Sequence, residues 1–112
     1  MSRVIAGSGV ATQSRSGEDW GTAARRLIRA CDHAALATTM AGRPYVSLVA
    51  SACDFDASPL LLLSDLAQHT KNLVTDPLVS LLFAERGEHP DPLAGPRLTL
   101  LGRAERCADP RS

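Results

Sequence analysis

The chain has 112 residues, which is enough for one domain with a real core and too few for two. Acidic and basic residues number twelve each, so the chain has no net charge and lacks the broad basic surface that non-specific nucleic-acid binding requires. Aromatic residues make up 4% of the chain, which excludes a stacking platform for single-stranded bases.

Three cysteines, Cys31, Cys53 and Cys107, stand far apart in the sequence. Their odd number and the lack of a CxxC pair predict reduced thiols rather than a disulfide framework. No apolar run approaches the roughly 20 residues of a membrane span, and the N-terminus has no apolar segment of signal-peptide length. These features predict a cytoplasmic protein.

Residues 1–18 are rich in Ser, Gly, Ala and Thr and have no periodicity, which predicts a flexible leader. The folded domain is then expected over residues 19–112. From Asp19 onward, apolar residues recur at helical spacing, with Trp20 as a packing anchor and three arginines on the opposite, solvated side. This pattern predicts an amphipathic N-terminal helix.

A hairpin is predicted next, because two short strand-like runs, residues 33–40 and 45–53, flank a turn with Gly42 and Pro44. Period-two alternation gives the second strand two different faces. One face is mixed and is expected to line a cleft; it carries Tyr45, Ser47, Val49, Ser51 and Cys53. The other face is apolar and is expected to be core; it carries Val46, Leu48, Ala50 and Ala52.

The second half of the chain predicts three more strands, at residues 60–63, 78–83 and 97–107, with Gly102 marking a bulge. A helix over residues 68–75, ended by Asp76-Pro77, separates the first two of them. This helix is too short for a parallel βαβ unit. The prediction is therefore an α+β fold: an antiparallel split β-barrel of five or six strands, with an N-terminal helix and one short helix between strands 3 and 4.

Polar side chains gather where the third strand passes into this helix. They are Ser64, His69, Thr70 and Lys71. Unpaired N–H groups and a partial positive charge make a helix start an anion site, and the Lys71 ammonium adds a full charge. The plainer alternative is a helix capped by Ser64 or Asp65, with Lys71 in water.

A metal site is not predicted. Four potential ligands, Glu85, Glu88, His89 and Asp91, lie in or beside the loop at residues 86–96. They lack a second histidine at ligand spacing, so a solvated loop is the preferred interpretation.

Three segments together resemble a known family: PYVSLVASACD, PLLLLSDLAQHTKNLVTDPLVSLLF and DPLAGPRLTLLGRAE. They resemble the FMN-binding split-barrel superfamily of pyridoxamine 5′-phosphate oxidase, and in particular its haem-utilisation branch, over roughly residues 20–108. The resemblance implies a homodimer that binds FMN at the subunit interface and is a flavin-dependent oxidoreductase, of unknown substrate.

Carried over residue by residue, the resemblance implies that one group of residues borders the flavin ring and ribityl chain: Ser47, Val49 and Ala50. A second group holds the phosphate: Ser64, His69, Thr70 and Lys71. Arg97 falls near the ring. No residue matches a catalytic acid, base or nucleophile.

The sequence departs from the family pattern in two ways. Where the oxidases carry an arginine in the second strand and a Ser-Arg-Lys triplet before the helix, this chain has Ser47 and His69-Thr70-Lys71, so fewer permanent charges face the phosphate. The chain also stops at Ser112 before a further strand, which predicts an incomplete barrel with an exposed sheet edge.

Two alternatives stay open. The first is a haem-binding protein, suggested by the haem-utilisation branch and by His33, His69 and His89 as possible axial ligands. The second is a truncated, non-catalytic interaction domain.

Overall fold

The computed structural model describes residues 2–11, 20–85, 90–91 and 93–107, and these form six strands and two helices. The strands are β1 (Ser2–Ala11), β2 (His33–Met40), β3 (Arg43–Cys53), β4 (Pro59–Leu62), β5 (Leu78–Ala84) and β6 (Arg97–Arg106). The helices are α1 (Trp20–Ala30) and α2 (Gln68–Thr75). For residues 2–11 and 20, only the backbone is described.

The hairpin β2–β3 lies at the centre of the sheet, in continuous register from His33↔Ala50 to Met40↔Arg43. Its turn consists of Ala41 and Gly42, whose φ angles are +50° and +78°. Two successive positive φ values give a turn whose twist matches that of the strands, so two residues suffice. The strand β3 therefore begins at Arg43, two residues earlier than predicted.

The strands form a closed antiparallel barrel in the order β1-β4-β3-β2-β5-β6. This confirms the predicted α+β split barrel and its two helices, the predicted third and fourth strands being β4 and β5. Two joins in the barrel are short. β2 and β5 pair only from Ala35↔Leu82 to Ala37↔Ser80, and β1 and β4 pair only at Ser2↔Leu61 and Arg3↔Leu60.

The expectation of an unstructured leader is wrong for residues 2–11, because they form β1. This strand pairs with β6 from Ser2↔Arg106 to Ala11↔Leu98 and fills the position that was expected to be an exposed edge. A strand can join a free sheet edge through main-chain hydrogen bonds alone, without any periodicity in its side chains. The composition of residues 2–11 therefore did not indicate a strand. The register shifts between Ala6 and Ser8, opposite Gly102, where an irregularity was predicted. Residues 12–19 lie outside the described part.

The core fills the inside of the barrel. Its largest fully buried side chains are Leu36, Leu61, Leu81 and Phe83. At one end of the barrel, α1 packs Leu27 and Ile28 against this core, and Cys31 follows directly after the helix. α2 lies at the other end, where the buried Asn72 donates a 3.0 Å hydrogen bond to Thr38 Oγ1. Trp20, the predicted packing anchor, has no described side chain.

The predicted faces of β3 are reversed. Val46 and Leu48, assigned to the core, are 69% and 73% exposed, whereas Val49 and Ser51, assigned to the cleft face, are buried. The barrel interior is already filled by side chains from the other strands, so the smaller and more polar face of β3 fits inside. The more apolar face of β3 is consequently on the outside.

No helix in the described ranges is long and apolar enough to cross a membrane.

Candidate functional site

The turn between β4 and α2 is built by two of the residues predicted to bind an anion. The Ser64 hydroxyl accepts a 3.2 Å hydrogen bond from the Leu66 N–H, and the Ser64 carbonyl accepts from the Thr70 hydroxyl at 2.5 Å. The hydroxyl proton of Ser64 stays available, whereas that of the buried Thr70 is committed to the turn. Ser64 therefore faces the corner as a donor, and Thr70 supports it from behind.

The first turn of α2 has no side-chain cap. Its N-cap residue is Ala67, in extended conformation and without a side-chain hydrogen bond to the helix. Capping by Ser64 or Asp65 is therefore not what the structure contains. The N–H groups at the helix start remain directed outward with their partial positive charge.

Lys71, the single lysine of the chain, follows in this first turn. Its side chain is exposed and makes no hydrogen bond or ion pair within the described ranges. The Ser64 hydroxyl, the uncapped helix start and the Lys71 ammonium form what we term the α2 corner. Its chemistry suits a phosphate or a carboxylate.

His69 is directed away from this corner. Its Nδ1 lies 3.1 Å from Ser47 Oγ, which ties α2 to β3. Its Nε2 is buried, and no hydrogen-bond partner for it is found among the described residues. An unsatisfied buried polar atom costs about 1–3 kcal/mol. The Ser47 contact and the buried Nε2 together place the His69 ring against the barrel wall rather than in the solvent beside Lys71.

The three β3 residues predicted to border a flavin are divided between the two sides of the sheet. Val49 is 5% exposed and points into the core, while Ala50 is exposed on the outer side. Ser47 is half-buried against His69. Of the three side chains, only that of Ala50 is presented to a ligand on the outside of the barrel.

Arg97 is not brought to the α2 corner. It pairs with Ala84 at the far end of β5, whereas α2 leads into the near end of that strand at Leu78. At about 3.3 Å per residue, the two ends of β5 are roughly 20 Å apart. The Arg97 guanidinium donates to the Leu93 carbonyl at 2.5 Å.

Arg106 was missed as a candidate and lies beside the α2 corner. Its guanidinium is 3.2 Å from Asp65 Oδ1, in the turn that precedes α2. Both side chains are exposed, so the pair contributes little stability and its partners separate easily. Only the register of β6 shows that Arg106 reaches this end of the barrel, and no pattern in the sequence carries that register.

His33 is the first residue of β2, at the end of that strand away from α2, and its Nδ1 contacts a carboxylate. The distance from His33 Nδ1 to Asp32 Oδ1 is 2.7 Å, and this hydrogen bond lowers the pKa of the Asp32 carboxyl. An ionised carboxylate only accepts, so Nδ1 is the donor in this pair. The His33 side chain is 61% exposed. His89 lies outside the described residues.

Side chains capable of metal binding do not cluster. In residues 2–11, 20–85, 90–91 and 93–107 there is no group of three or more His, Cys, Asp or Glu positioned to hold an ion. Of the four potential ligands named above, Glu88 and His89 lie outside these ranges.

The outer side of the sheet carries an unusual number of exposed apolar side chains. They are Val46, Leu48, Leu62, Leu78, Leu82 and Leu101, which we term the outer apolar face. Register makes four of them neighbours: Leu48 and Leu82 flank Ala35, and Val46 and Leu101 lie in the row that runs through Ala37 and Ser80. Contiguous exposed apolar surface of this kind marks an interface or a ligand platform.

A comparison with protein families matches residues 21–112 to the model described as pyridoxamine 5′-phosphate oxidase. Among curated proteins, the chain is 48% identical over 63 residues to the chloroplastic non-canonical heme oxygenase HOZ of Arabidopsis thaliana. That stretch covers 56% of this chain and 19% of the plant protein.

Among the solved structures that share the fold are two described as haem proteins. The heme binding protein from Mycobacterium smegmatis has a TM-score of 0.76 and 32% identity, over 88% of this chain and 40% of that one. HutZ from Vibrio cholerae, described as a heme storage protein, has a TM-score of 0.64 and 28% identity, over 78% of this chain and 62% of that one. The chain thus spans less than two thirds of the length of each relative.

Proposed function

The chain belongs to the pyridoxamine 5′-phosphate oxidase family, and from that premise we propose that it binds FMN. The observation that carries the proposal is the α2 corner, where an uncapped helix start and the unpaired Lys71 are exposed together. A phosphate ester matches this arrangement in charge and in hydrogen-bonding capacity.

The phosphate would be held by the N–H groups that open α2, by the Ser64 hydroxyl and by Lys71. Arg106 pairs with Asp65 beside the corner, and it would exchange this carboxylate for the bound phosphate. Thr70 and His69 serve the site by fixing the turn and the helix, through Ser64 and Ser47 respectively.

The flavin ring would lie on the outer side of β3. Ala50 pairs with Leu62, the last residue of β4, and Ser64 follows two residues later. The strand β4 therefore brings the outer side of β3 at Ala50 close to the α2 corner. Ala50, Leu48 and Leu62 offer a flat apolar surface to a ring system.

The phosphate contacts alone do not supply enough binding free energy. Two or three charge-assisted hydrogen bonds supply about 5 kcal/mol, and micromolar binding needs about 8 kcal/mol. The ring must therefore be covered on its second side. We propose that a second copy of the chain covers it, in a homodimer formed through the outer apolar face.

Bound FMN would supply the redox chemistry of an oxidoreductase, as cofactors do. The chain's own residues would bind and orient it and exclude water from the ring. Among the residues with described side chains we assign no catalytic acid, base or nucleophile, so the activity and substrate of the proposed oxidoreductase remain part of the proposal.

Lys71→Gln is expected to weaken FMN binding about ten- to a hundredfold, because one charge-assisted contact to the phosphate is lost. Quenching of flavin fluorescence during titration measures the effect. Riboflavin, which has no phosphate, is the matched ligand, and its affinity should not change in the variant. Arg25→Gln, which removes an exposed cation from α1, is the matched protein control. Equal weakening of FMN and riboflavin would contradict a phosphate contact at Lys71.

Haem binding is a second candidate, favoured by the three relatives described as a heme oxygenase, a heme binding protein and a heme storage protein. His33 fits an axial ligand, because the Asp32 carboxylate orients its ring and leaves Nε2 exposed. His69 fits poorly, since its Nε2 is buried.

His33→Ala is expected to abolish the histidine-ligated spectrum of added haemin, whereas His69→Ala should retain it. The Soret band and the electron paramagnetic resonance spectrum during a haemin titration provide the measurement. Asp32→Asn keeps the imidazole but weakens its hydrogen bond, so it should shift the spin state without abolishing binding. A normal spectrum in His33→Ala would remove His33 as the ligand.

We also propose a cytoplasmic location. All three cysteines fall in the described ranges and are unpaired, as expected in a reducing compartment. Burial raises the pKa of the Cys31 thiol, which favours a packing role over a reactive one.

A further inference from the structure

The neighbouring strands β2 and β5 are paired over only part of their length. The two strands pair only through Ala35–Ala37 and Ser80–Leu82, yet β2 continues to Met40 and β5 begins at Leu78. The unpaired ends of the strands diverge, and a groove of about 320 Å³ occupies the space between them. Its volume is at the lower end of the range for small-molecule sites.

The groove is apolar at its base and polar at its rim. Val79 and Thr38 are buried, and Leu78 and Pro44 contribute apolar walls. The Thr38 hydroxyl is occupied, because it accepts from Asn72 and donates to the Tyr45 carbonyl.

Two other hydroxyls, those of Thr39 and Ser80, also line the groove, and neither has a hydrogen-bond partner in the described part of the chain. They stand on the outer side of neighbouring strands, since each alternates with a buried residue of its strand, Thr38 or Val79. Each hydroxyl donates and accepts.

Arg43 is the one charged residue that lines the groove. It is exposed at the β2–β3 turn, and none of the described carboxylates forms an ion pair with it. A single guanidinium with two free hydroxyls, next to apolar walls, is complementary to a monoanion on an apolar body.

We propose that this groove binds a small organic carboxylate, with its carboxylate on Arg43 and the Thr39 and Ser80 hydroxyls, and its apolar part against Leu78 and Val79. A dianionic phosphate ester is a poorer match, because one cation does not neutralise it. The site is separate from the α2 corner, since the groove follows the C-terminal end of α2 and the corner opens its N-terminal end, about 12 Å away along the helix.

Benzoate is the probe that tests the site, with benzamide as its neutral analogue and phenyl phosphate as the dianion. Amide chemical shifts of the intact chain, followed during titration, should move at Thr39, Gly42 and Ser80 with benzoate, and less with the other two. Arg43→Gln is expected to weaken benzoate binding about tenfold, the effect of one charge-assisted contact. Ser80→Leu should block the groove and abolish the shifts.

Lys71→Gln and Arg43→Gln together separate the two sites. Lys71→Gln should weaken FMN and leave benzoate unchanged, and Arg43→Gln should do the reverse. The groove proposal is overturned if benzamide binds as well as benzoate, or if Arg43→Gln has no effect on benzoate. Loss of FMN binding alone would instead count against the proposed function.

Discussion

A Leu48→Glu variant is expected to be monomeric and to lose the proposed binding of FMN or haem. Leu48 is 73% exposed at the centre of the outer apolar face, next to Ala35 and Leu82. In a homodimer through this face, each subunit would bury one unpaired carboxylate, at a cost of about 3–5 kcal/mol for a broken buried charge. Two-fold symmetry applies the penalty twice. The dimer should therefore weaken by several orders of magnitude.

Sedimentation velocity measures the oligomeric state, and flavin or haemin titration of the same sample measures binding. Val74→Glu is the matched control, because Val74 is also apolar and 81% exposed but lies on α2, away from the face. It should remain dimeric. A wild-type chain that sediments as a monomer, or equal dissociation in both variants, would contradict the proposed interface.

Phe83→Ala is expected to lower the free energy of unfolding by about 3–5 kcal/mol, as a large cavity in a packed core does. Phe83 is fully buried on β5 and is among the largest side chains in the barrel. Because domains of this size are stable by only about 5–15 kcal/mol, the loss should be visible as a large drop in the urea midpoint.

Phe55→Ala removes the same side chain from a turn where Phe55 is 99% exposed. Its unfolding midpoint should stay close to that of the wild type, within about 0.5 kcal/mol. If the two variants were destabilised equally, the assignment of Phe83 to the barrel interior would be wrong.

The sequence predicted α2 and its flanking strands because their signals are local. Asp76-Pro77 stops the helix, which ends at Thr75 as predicted, and the apolar runs on either side become β4 and β5. The reversed faces of β3 have a different origin. Alternation shows that the strand has two faces. Assigning the more apolar face to the core assumes that no other protein or ligand covers that face, which alternation cannot show.

Parts of the candidate site were predictable in the same local way. Ser64 and Lys71 are close in sequence, and both face the α2 corner. The positions of Arg106 beside Asp65 and of Arg43 at the groove depend on which strands pair and in which register. Register results from the packing of the whole barrel, so a single sequence carries it only weakly.

The pairing of β1 with β6 also bears on how the chain folds. This join brings residue 2 to residue 106, whereas the central hairpin is closed by two residues. Loop-closure entropy favours contacts that are near in sequence, so the hairpin should form early and the joining of β1 to β6 late. Until that step, β4 and β6 present unpaired backbone edges to other chains. The interval before β1 docks is therefore when the newly made protein is most exposed to aggregation.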